Sequence, residues 1–260
     1  MSQLVFEAAN KAVHSSKIRI KPDVVIVATS TPDYINPSMA CILHEKLALP
    51  DSSPAFDIQA VCNGFLYALV TAGTLLESSN GKYALVVGAD QFSKITDFSH
   101  RNSVYFGDAA GAVILEKDQT SRSKFVFDMY ASGQDWVHFH TKDSQSKFSM
   151  NGSGVAEIVN NKVPAAVKKL IKELDLTIND IDMFITHQPS ALVLDNLEEK
   201  LNIPNGKLIR NLNTNANTAG ATVPTVLDSV FEALNQNSVV CFISFGSGWT
   251  WSVGIIGNIQ

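Results

Sequence analysis

The sequence lacks paired cysteines, an excess of basic residues and any long apolar run. Cys41, Cys62 and Cys241 are far apart and show no paired spacing, which argues against a disulfide framework and against a structural zinc site. A net charge of −5 gives no reason to expect nucleic acid or an anionic membrane as a partner, because both demand a basic surface. No apolar stretch is long enough to span a bilayer, and the first seven residues do not resemble a signal peptide. We therefore expect a cytoplasmic protein.

The pattern that is present predicts an α/β protein. Its 260 residues are 45% hydrophobic and 17% charged, enough for one large core or two modest halves. Short β-branched apolar runs predict buried strands, several of them of the parallel kind. These strands are expected at 23–30, 54–58, 82–90, 113–116, 124–130, 182–186, 208–212 and 239–245. Helices are expected at 3–16, 38–47, from 62 onward, at 155–174, before 204 and at 219–235.

The second half of the sequence repeats the first. Glu45-Lys-Leu-Ala-Leu-Pro50 and Glu199-Lys-Leu-Asn-Ile-Pro204 close equivalent helices with nearly the same letters. The offset between equivalent positions stays between 154, from Pro50 to Pro204, and 159, from Asp23 to Asp182. A single chance match does not explain that constancy. We predict an internal duplication, with one half at 1–118 and the other at 119–260.

The duplication also predicts an unequal start of the two halves. Residues 124–130 supply a strand before the first helix of the second half. No strand pattern precedes the helix that is expected at 3–16. The first half is therefore expected to be short by one strand and the loop that follows it.

Cys62 is the first candidate for chemistry, because it lies where a strand runs into a helix. Unpaired backbone N–H groups and the positive end of the helix dipole favour thiolate over thiol at such a place. That environment predicts a nucleophile. The alternative is a free cysteine packed as a small hydrophobe, the interpretation that we adopt for Cys41 and Cys241.

Two further candidates follow from the repeat. Active sites of open α/β sheets lie beyond the carboxyl ends of strands, and a pseudo-twofold axis would bring equivalent junctions together. His187 ends a strand, and Asn217 lies in the loop that matches the Cys62 junction. Taken singly, each residue has a structural alternative, a satisfied core histidine or a capping asparagine. Gly246-Ser-Gly248 lacks the third glycine of a dinucleotide site and is expected to let backbone approach the reaction centre.

With these residues in place, the chain resembles the β-ketoacyl-acyl carrier protein synthase III family of the thiolase superfamily. The resemblance covers essentially the whole chain. It depends on the stretches at 28–34, 56–65, 83–88 and 106–112, on His187-Gln and Asn217-Thr, and on 245–251. It implies a duplicated, layered αβαβα fold.

The resemblance also implies roles. Cys62 would carry the acyl group, with oxyanions stabilised by the backbone N–H groups of Cys62 and Ser247. His187 and Asn217 would hydrogen-bond the thioester carbonyl of malonyl-acyl carrier protein and favour its decarboxylation. The acyl donor would be a coenzyme A thioester, no metal or redox cofactor would be needed, and the protein would form a homodimer. The implied substrate-binding positions are Asn36, Met150, Ser153 and Ala156.

Several positions depart from the family pattern. Asn36 replaces a large apolar residue that closes the partner's acyl pocket, and Ala156 replaces an aromatic residue near the tunnel. Glu157 and Leu192 stand where basic residues often face phosphopantetheine and carrier protein. Three hypotheses follow: a condensing enzyme with altered substrate binding, an acyltransferase to a hydroxyl or amine without decarboxylation, and a shortened non-catalytic paralogue or subunit.

Overall fold

The computed structural model describes residues 1–15, 20–118, 123–142 and 146–259, without the side chains of residues 135, 137 and 152–158. The helices are α1 (Ser2–Ser15), α2 (Met39–Lys46), α3 (Gly64–Glu77), α4 (Gly152–Glu173), α5 (Ala191–Leu201), α6 (Leu212–Asn215) and α7 (Thr222–Val230). The strands are β1 (Val24–Ala28), β2 (Ala55–Ile58), β3 (Tyr83–Gln91), β4 (Asp108–Glu116), β5 (Lys124–Ala131), β6 (Phe139–His140), β7 (Ser149–Met150), β8 (Met183–Thr186), β9 (Val240–Gly246) and β10 (Thr250–Gly257).

Two mixed sheets form the framework. The first has the order β2-β1-β3-β4, with β1 parallel to β2 and β3, and β4 antiparallel to β3. The second has the order β5-β10-β9-β8, with β8 parallel to β9 and β10 antiparallel to both neighbours. A bridge between Phe184 and Leu208 widens the second sheet beyond β8. The halves thus share one strand topology.

Three apolar clusters define five layers. The first packs α1 and α2 on the outer face of the first sheet, with Val5, Met39 and Leu43 against Val25, Val27 and Leu85. The second packs α3 and α7 between the sheets, with Leu66, Leu69, Val223 and Val226 against Ile26 and Phe242. The third packs α4 and α5 on the outer face of the second sheet. Because the middle layer draws on both sheets, the two halves share one core.

The repeat is visible in backbone detail. Ala48 lies just after α2 and Asn202 just after α5, and both adopt left-handed conformations, with φ of 49° and 51°. Asp23 accepts hydrogen bonds from the N–H groups of Lys82 and Tyr83, and Asp182 accepts one from Val239 N–H. An aspartate at the equivalent position of each half thus binds the start of a neighbouring strand, which supports the predicted duplication.

Most predicted elements agree with the structure, and three do not. The strand predicted at 113–116 begins at Asp108, because the small residues before it pack beneath α7: a β-carbon on Gly111 would lie 2.8 Å from Pro224 Cβ. The helix predicted at 219–235 is regular only at Thr222–Val230 and is flanked by 3-10 turns. The strand expected at 208–212 is reduced to a single bridge between Leu208 and Phe184. Strands β6, β7 and β10 and the short helix α6 were not predicted.

The sheets differ at one edge. In the second sheet β5 covers β10, whereas no strand within the described ranges pairs with the outer edge of β4. The predicted boundary between residues 118 and 119 adjoins residues 119–122, which lie outside the described ranges, and it stays a prediction. Among the described residues, no helix is both long and apolar enough to cross a membrane.

Candidate active site

Cys62 lies in a tight turn between β2 and α3. The turn, Val61–Asn63, is a 3-10 turn, and Val61 enters it with a φ of 47°, a strained conformation for a β-branched residue. The side chain is buried, with 7% of its surface exposed. Ser244 Oγ of β9 donates a 2.8 Å hydrogen bond to the carbonyl of Cys62. The second half therefore fixes the backbone at which the thiol is presented.

Burial opposes the effect that the helix terminus is expected to have on the Cys62 thiol. Cys62 precedes α3 in a 3-10 turn instead of opening the helix. Burial raises the pKa of its thiol well above the ordinary value, and the nearby Asp90 carboxylate raises it further. Burial also raises the pKa of Asp90. Burial and the Asp90 carboxylate therefore both favour the protonated thiol.

Gly246 brings the second half against the backbone of Cys62. A β-carbon at this position would lie 2.9 Å from Cys62 N and 3.0 Å from Asn63 N. The predicted close approach of backbone at this stretch is therefore confirmed. Ser247 follows directly, and its hydroxyl donates to the carbonyl of Phe139. The two backbone N–H groups predicted to stabilise an oxyanion, those of Cys62 and Ser247, thus belong to adjoining segments.

His187 lies just beyond β8. Its backbone N–H donates to Ile243 O of β9 at 2.9 Å, and its ring packs edge-on against Phe245 at 5.2 Å. The side chain is 2% exposed, and Nδ1 has no hydrogen-bond partner in the described part of the chain. Burial lowers the pKa of His187 to about 3. The imidazole is therefore neutral at physiological pH and offers one N–H donor.

Backbone hydrogen bonds to Tyr105 and Gly107 hold Asn217 in place. Its N–H donates to Tyr105 O at 2.8 Å, and its carbonyl accepts from Gly107 N at 2.9 Å. Its side-chain Oδ1 accepts a 2.9 Å hydrogen bond from Ala219 N–H. Because that bond occupies the oxygen, the amide presents its NH₂ end as the available donor.

The loop that carries Asn217 lies against the Cys62 turn. Ala219 packs in one apolar cluster with Cys62, Phe92 and Ile95. Ala219 has a φ of 49°, which matches the φ of 47° at Val61, and each of these residues starts a 3-10 turn that leads into a helix. In the repeat, Gly220 is therefore the position equivalent to Cys62, and Asn217 lies three residues before it. Strand β9 contacts both His187, through Ile243, and the Cys62 turn, through Ser244. The Asn217 loop packs against the Cys62 turn through Ala219.

The four predicted substrate positions fall in different places. Asn36 lies in an exposed turn between β1 and α2. Met150 pairs in register with Phe139, whose ring packs at the edge of the Cys62 cluster. The side chains of Ser153, Ala156 and also Glu157 lie outside the described side chains.

Two features of the site were not predicted. One is an aromatic wall at the edge of the Cys62 cluster, formed by Phe92, Phe106, Phe139 and Phe148 with centroid separations of 4.7–5.9 Å. The other is Asp90, a fully buried carboxylate one residue before the end of β3. Its one sequence signal is a charged residue at the end of a buried strand. Within the described ranges, no three His, Cys, Asp or Glu residues are grouped as a metal would require.

Comparisons with known proteins match both halves of the chain. A family described as 3-oxoacyl-[acyl-carrier-protein (ACP)] synthase III matches residues 56–133, and its C-terminal counterpart matches residues 171–257. Beta-ketoacyl-[acyl-carrier-protein] synthase III of Wolbachia pipientis is 35% identical over 260 residues, covering 96% of this chain and 81% of the relative. The chain belongs to the β-ketoacyl-acyl carrier protein synthase III family.

Other members of the family support the same assignment. The enzyme of the same name from Geobacillus kaustophilus is 34% identical, again with 96% of this chain and 81% of the relative covered. The crystal structure of 3-oxoacyl-(acyl carrier protein) synthase III from Pseudomonas aeruginosa superposes with a TM-score of 0.92 at 26% identity, covering 100% of this chain and 83% of that one. These comparisons confirm two predictions. One is the thiolase-like α/β fold, and the other is a condensing acyltransferase activity that initiates fatty acid synthesis.

Proposed function

We propose that this chain condenses an acyl group from coenzyme A with malonyl-acyl carrier protein through an acyl intermediate on Cys62. The observation that carries the proposal is the contact between the Cys62 turn and the Asn217 loop, both of which adjoin Ala219. That contact supports Cys62 as the nucleophile, next to a loop whose asparagine amide is able to bind a thioester carbonyl.

The first half-reaction transfers the acyl group. The Cys62 sulfur attacks the acyl-CoA carbonyl, and the tetrahedral oxyanion is stabilised by the N–H groups of Cys62 and Ser247. Collapse breaks the bond to the coenzyme A sulfur, and the thiol proton leaves with coenzyme A as its free thiol. Since burial raises the pKa of Cys62, proton removal has to accompany the attack.

The second half-reaction uses His187 and Asn217. The neutral imidazole and the amide NH₂ donate to the malonyl thioester carbonyl, so that loss of CO₂ leaves a stabilised enolate. The enolate carbon attacks the acyl-Cys62 carbonyl and the Cys62 sulfur departs, taking up a proton to restore the thiol. The products are β-ketoacyl-acyl carrier protein and CO₂. The pKa of about 3 at His187 keeps this donor neutral throughout the physiological range.

The aromatic wall suits an acyl chain. Phe92 is buried, and Phe106, Phe139 and Phe148 are partly buried around it. An apolar chain attached to the Cys62 sulfur would gain stabilisation from burial against these rings. Met150, which pairs with Phe139, is the predicted substrate position that lies next to this wall.

The proposal includes a homodimer. Large apolar residues are exposed on two loops of the first half: Tyr34 (59%), Ile35 (85%), Phe98 (70%) and Val104 (77%). Asn36, the position that would face the partner's acyl pocket, follows Ile35 directly. Burying these side chains against a second copy would remove an apolar surface from water. A cytoplasmic location and a division of the chain at residues 118 and 119 are also part of the proposal.

Acyl transfer to the enzyme is the decisive test. The protein is incubated with acetyl-CoA and its intact mass is measured. We expect one acetyl adduct on the protein and on a Cys41→Ser control, because Cys41 is exposed and lies outside the site. A Cys62→Ser variant should gain no thioester. An unmodified mass for the native chain would contradict the proposal.

Release of the adduct tests the second half-reaction. Malonyl-acyl carrier protein should discharge the acetylated protein with production of CO₂ and a β-ketoacyl product. His187→Ala and Asn217→Ala should still accept the acetyl group and should fail to discharge it. Discharge by a simple alcohol or amine, with no dependence on malonyl-acyl carrier protein, would instead identify an acyltransferase without decarboxylation.

A further inference from the structure

Gln188 is a polar residue that is completely buried directly after His187. Both ends of its side-chain amide form hydrogen bonds to the same backbone segment. Nε2 donates a 2.7 Å bond to Ile209 O, and Oε1 accepts a 3.1 Å bond from Asn211 N–H. The side chain thus joins the end of β8 to the segment that leads to Asn217.

These two bonds take the place of main-chain pairing. Phe184 exchanges hydrogen bonds of 2.8 and 3.0 Å with the backbone at 207–209, which is one rung of a parallel ladder. In a regular ladder, the next rung would join the peptide groups of Thr186 to the backbone at 209–211. The amide of Gln188 makes both of those bonds instead. A side chain therefore continues the sheet at the point where β8 ends.

Asn211 connects this link to α6 and so to Asn217. Its carbonyl accepts hydrogen bonds from the N–H groups of Thr214 at 3.1 Å and Asn215 at 3.0 Å. The Thr214 hydroxyl donates to the same carbonyl at 2.9 Å. The first turn of α6 is thus anchored on Asn211, and Asn217 follows the end of α6 after one residue. The position at which Gln188 holds Asn211 consequently sets where this loop begins.

Two sets of bonds place Asn217. Its backbone bonds to Tyr105 and Gly107 tie it to the first half. The link through Gln188 ties its loop to β8, and His187 lies directly after that strand. A single buried amide is therefore shared between the strand end that carries the imidazole and the loop that carries the carboxamide.

We propose that Gln188 is a positioning residue for the malonyl-dependent half-reaction, because its amide sets the separation between the side chains of His187 and Asn217. This inference rests on the proposed function, in which those two side chains bind the malonyl thioester carbonyl. A misplacement of about 1 Å at such a pair costs on the order of 100-fold in rate. The Cys62 turn is held by Ser244 Oγ instead, so acylation does not depend on Gln188.

Gln188→Met tests this role, because methionine has a similar shape and lacks the amide. Acetylation by acetyl-CoA should proceed at the native rate. Discharge at saturating malonyl-acyl carrier protein should slow on the order of 100-fold, since the change affects placement of the reacting carbonyl. Amide hydrogen exchange should accelerate at Asn211, Thr214 and Asn215 and stay unchanged at Ile209, whose N–H bonds to β8.

A second variant covers the case in which Gln188→Met does not fold. Gln188→Asn keeps a buried amide, but it is one methylene too short to reach both Ile209 and Asn211. It should show the same separation between an intact acetylation and a slowed discharge.

Ser53→Ala is the matched control for loss of a buried hydrogen bond. Ser53 is buried, and its hydroxyl donates a 2.9 Å bond to Pro22 O. It precedes β2, whereas Cys62 follows that strand, so it lies at the opposite end of the strand from the site. This variant should lower the free energy of unfolding and leave both half-reactions at native rates.

Two results would overturn the role of Gln188 alone. One is discharge of both Gln188 variants at the native rate, and the other is an equal loss of acetylation and discharge. A native protein that accepts the acetyl group and is not discharged by malonyl-acyl carrier protein would refute the proposed function itself, and this role with it.

Discussion

Asp90 Oδ2 accepts a 2.9 Å hydrogen bond from the backbone N–H of Gly220, and this bond joins the end of β3 to the loop that carries Asn217. The other oxygen, Oδ1, accepts bonds from Ser30 N, Ser30 Oγ and Thr31 Oγ in the first half. A single buried carboxylate thus ties the first half, which carries Cys62, to the loop that carries Asn217.

We expect Asp90→Asn to impair condensation more than acylation. The amide presents NH₂ to the Gly220 N–H or loses the bonds at Oδ1, so the Asn217 loop shifts relative to Cys62. A misplacement of this kind costs on the order of 100-fold in rate. Single-turnover acetylation and malonyl-dependent discharge are measured separately. Ser30→Ala is the control, because it removes a bond to Oδ1 and leaves the Gly220 bond in place. Equal loss in both half-reactions would contradict this role.

Ser244 and Ser252 provide a matched test of the Cys62 backbone anchor. They are paired in register on β9 and β10 and both are fully buried. Ser244 Oγ donates to the Cys62 carbonyl, whereas Ser252 Oγ has no partner among the described residues. Ser244→Ala should destabilise the protein by about 1–3 kcal/mol because it leaves a buried carbonyl unsatisfied. Ser252→Ala should be neutral or slightly stabilising in the same urea denaturation experiment. Equal effects of the two variants would refute the anchor.

Gly246→Ala should disable the site through the backbone. A methyl group there would lie 2.9 Å from Cys62 N, a contact that forces either β9 or the Cys62 turn to move. We expect acetylation by acetyl-CoA to fall at least about tenfold, with a stability loss of about 1–3 kcal/mol from overpacking. Gly73→Ala is the control, because no atom lies within 4 Å of its added carbon and it sits inside α3. That variant should gain about 0.5–1 kcal/mol. Full activity of Gly246→Ala would show that the close approach is unimportant.

Much of this arrangement could be predicted from the sequence, because local patterns specify it. Runs such as Val24–Ala28 are buried over their whole length, and their composition alone indicates buried strands. The duplication was visible in the spacing of Asp23 and Asp182, which the structure shows making equivalent hydrogen bonds. These features depend on residues close in sequence or on repetition.

What could not be predicted depends on contacts between the halves. The small residues before Val113 indicate a loop, and only the packing of Pro224 on Gly111 explains why they form a strand. Burial between the two halves raises the pKa of Cys62, against the effect of the helix terminus that the sequence displays. The left-handed φ of Val61 has no local signal, since a β-branched residue disfavours it.

His187 should make stability depend on pH. Its pKa in the folded protein is about 3, whereas the unfolded value is about 6.5. Between these values the unfolded chain binds a proton at His187 and the folded chain does not. The free energy of unfolding should therefore decrease as pH falls, by about 1.4 kcal/mol per pH unit from this residue. Urea denaturation of the native protein and of His187→Asn between pH 4.5 and 6.5 measures it. The variant should show a shallower slope, and an identical slope would contradict the buried neutral imidazole.

The reactivity of Cys62 should rise with pH without levelling off near neutrality. Thiolate is the reacting form, and burial together with Asp90 raises the pKa of this thiol, so the thiolate fraction should grow about tenfold per pH unit. Iodoacetamide modification is followed by mass spectrometry between pH 7 and 9 in a Cys41→Ser background, which removes the exposed thiol. Cys241 is completely buried and serves as the internal reference for unfolding. A plateau below pH 8 at Cys62, with Cys241 unmodified, would show a stabilised thiolate and restore the helix terminus as the dominant influence on this sulfur.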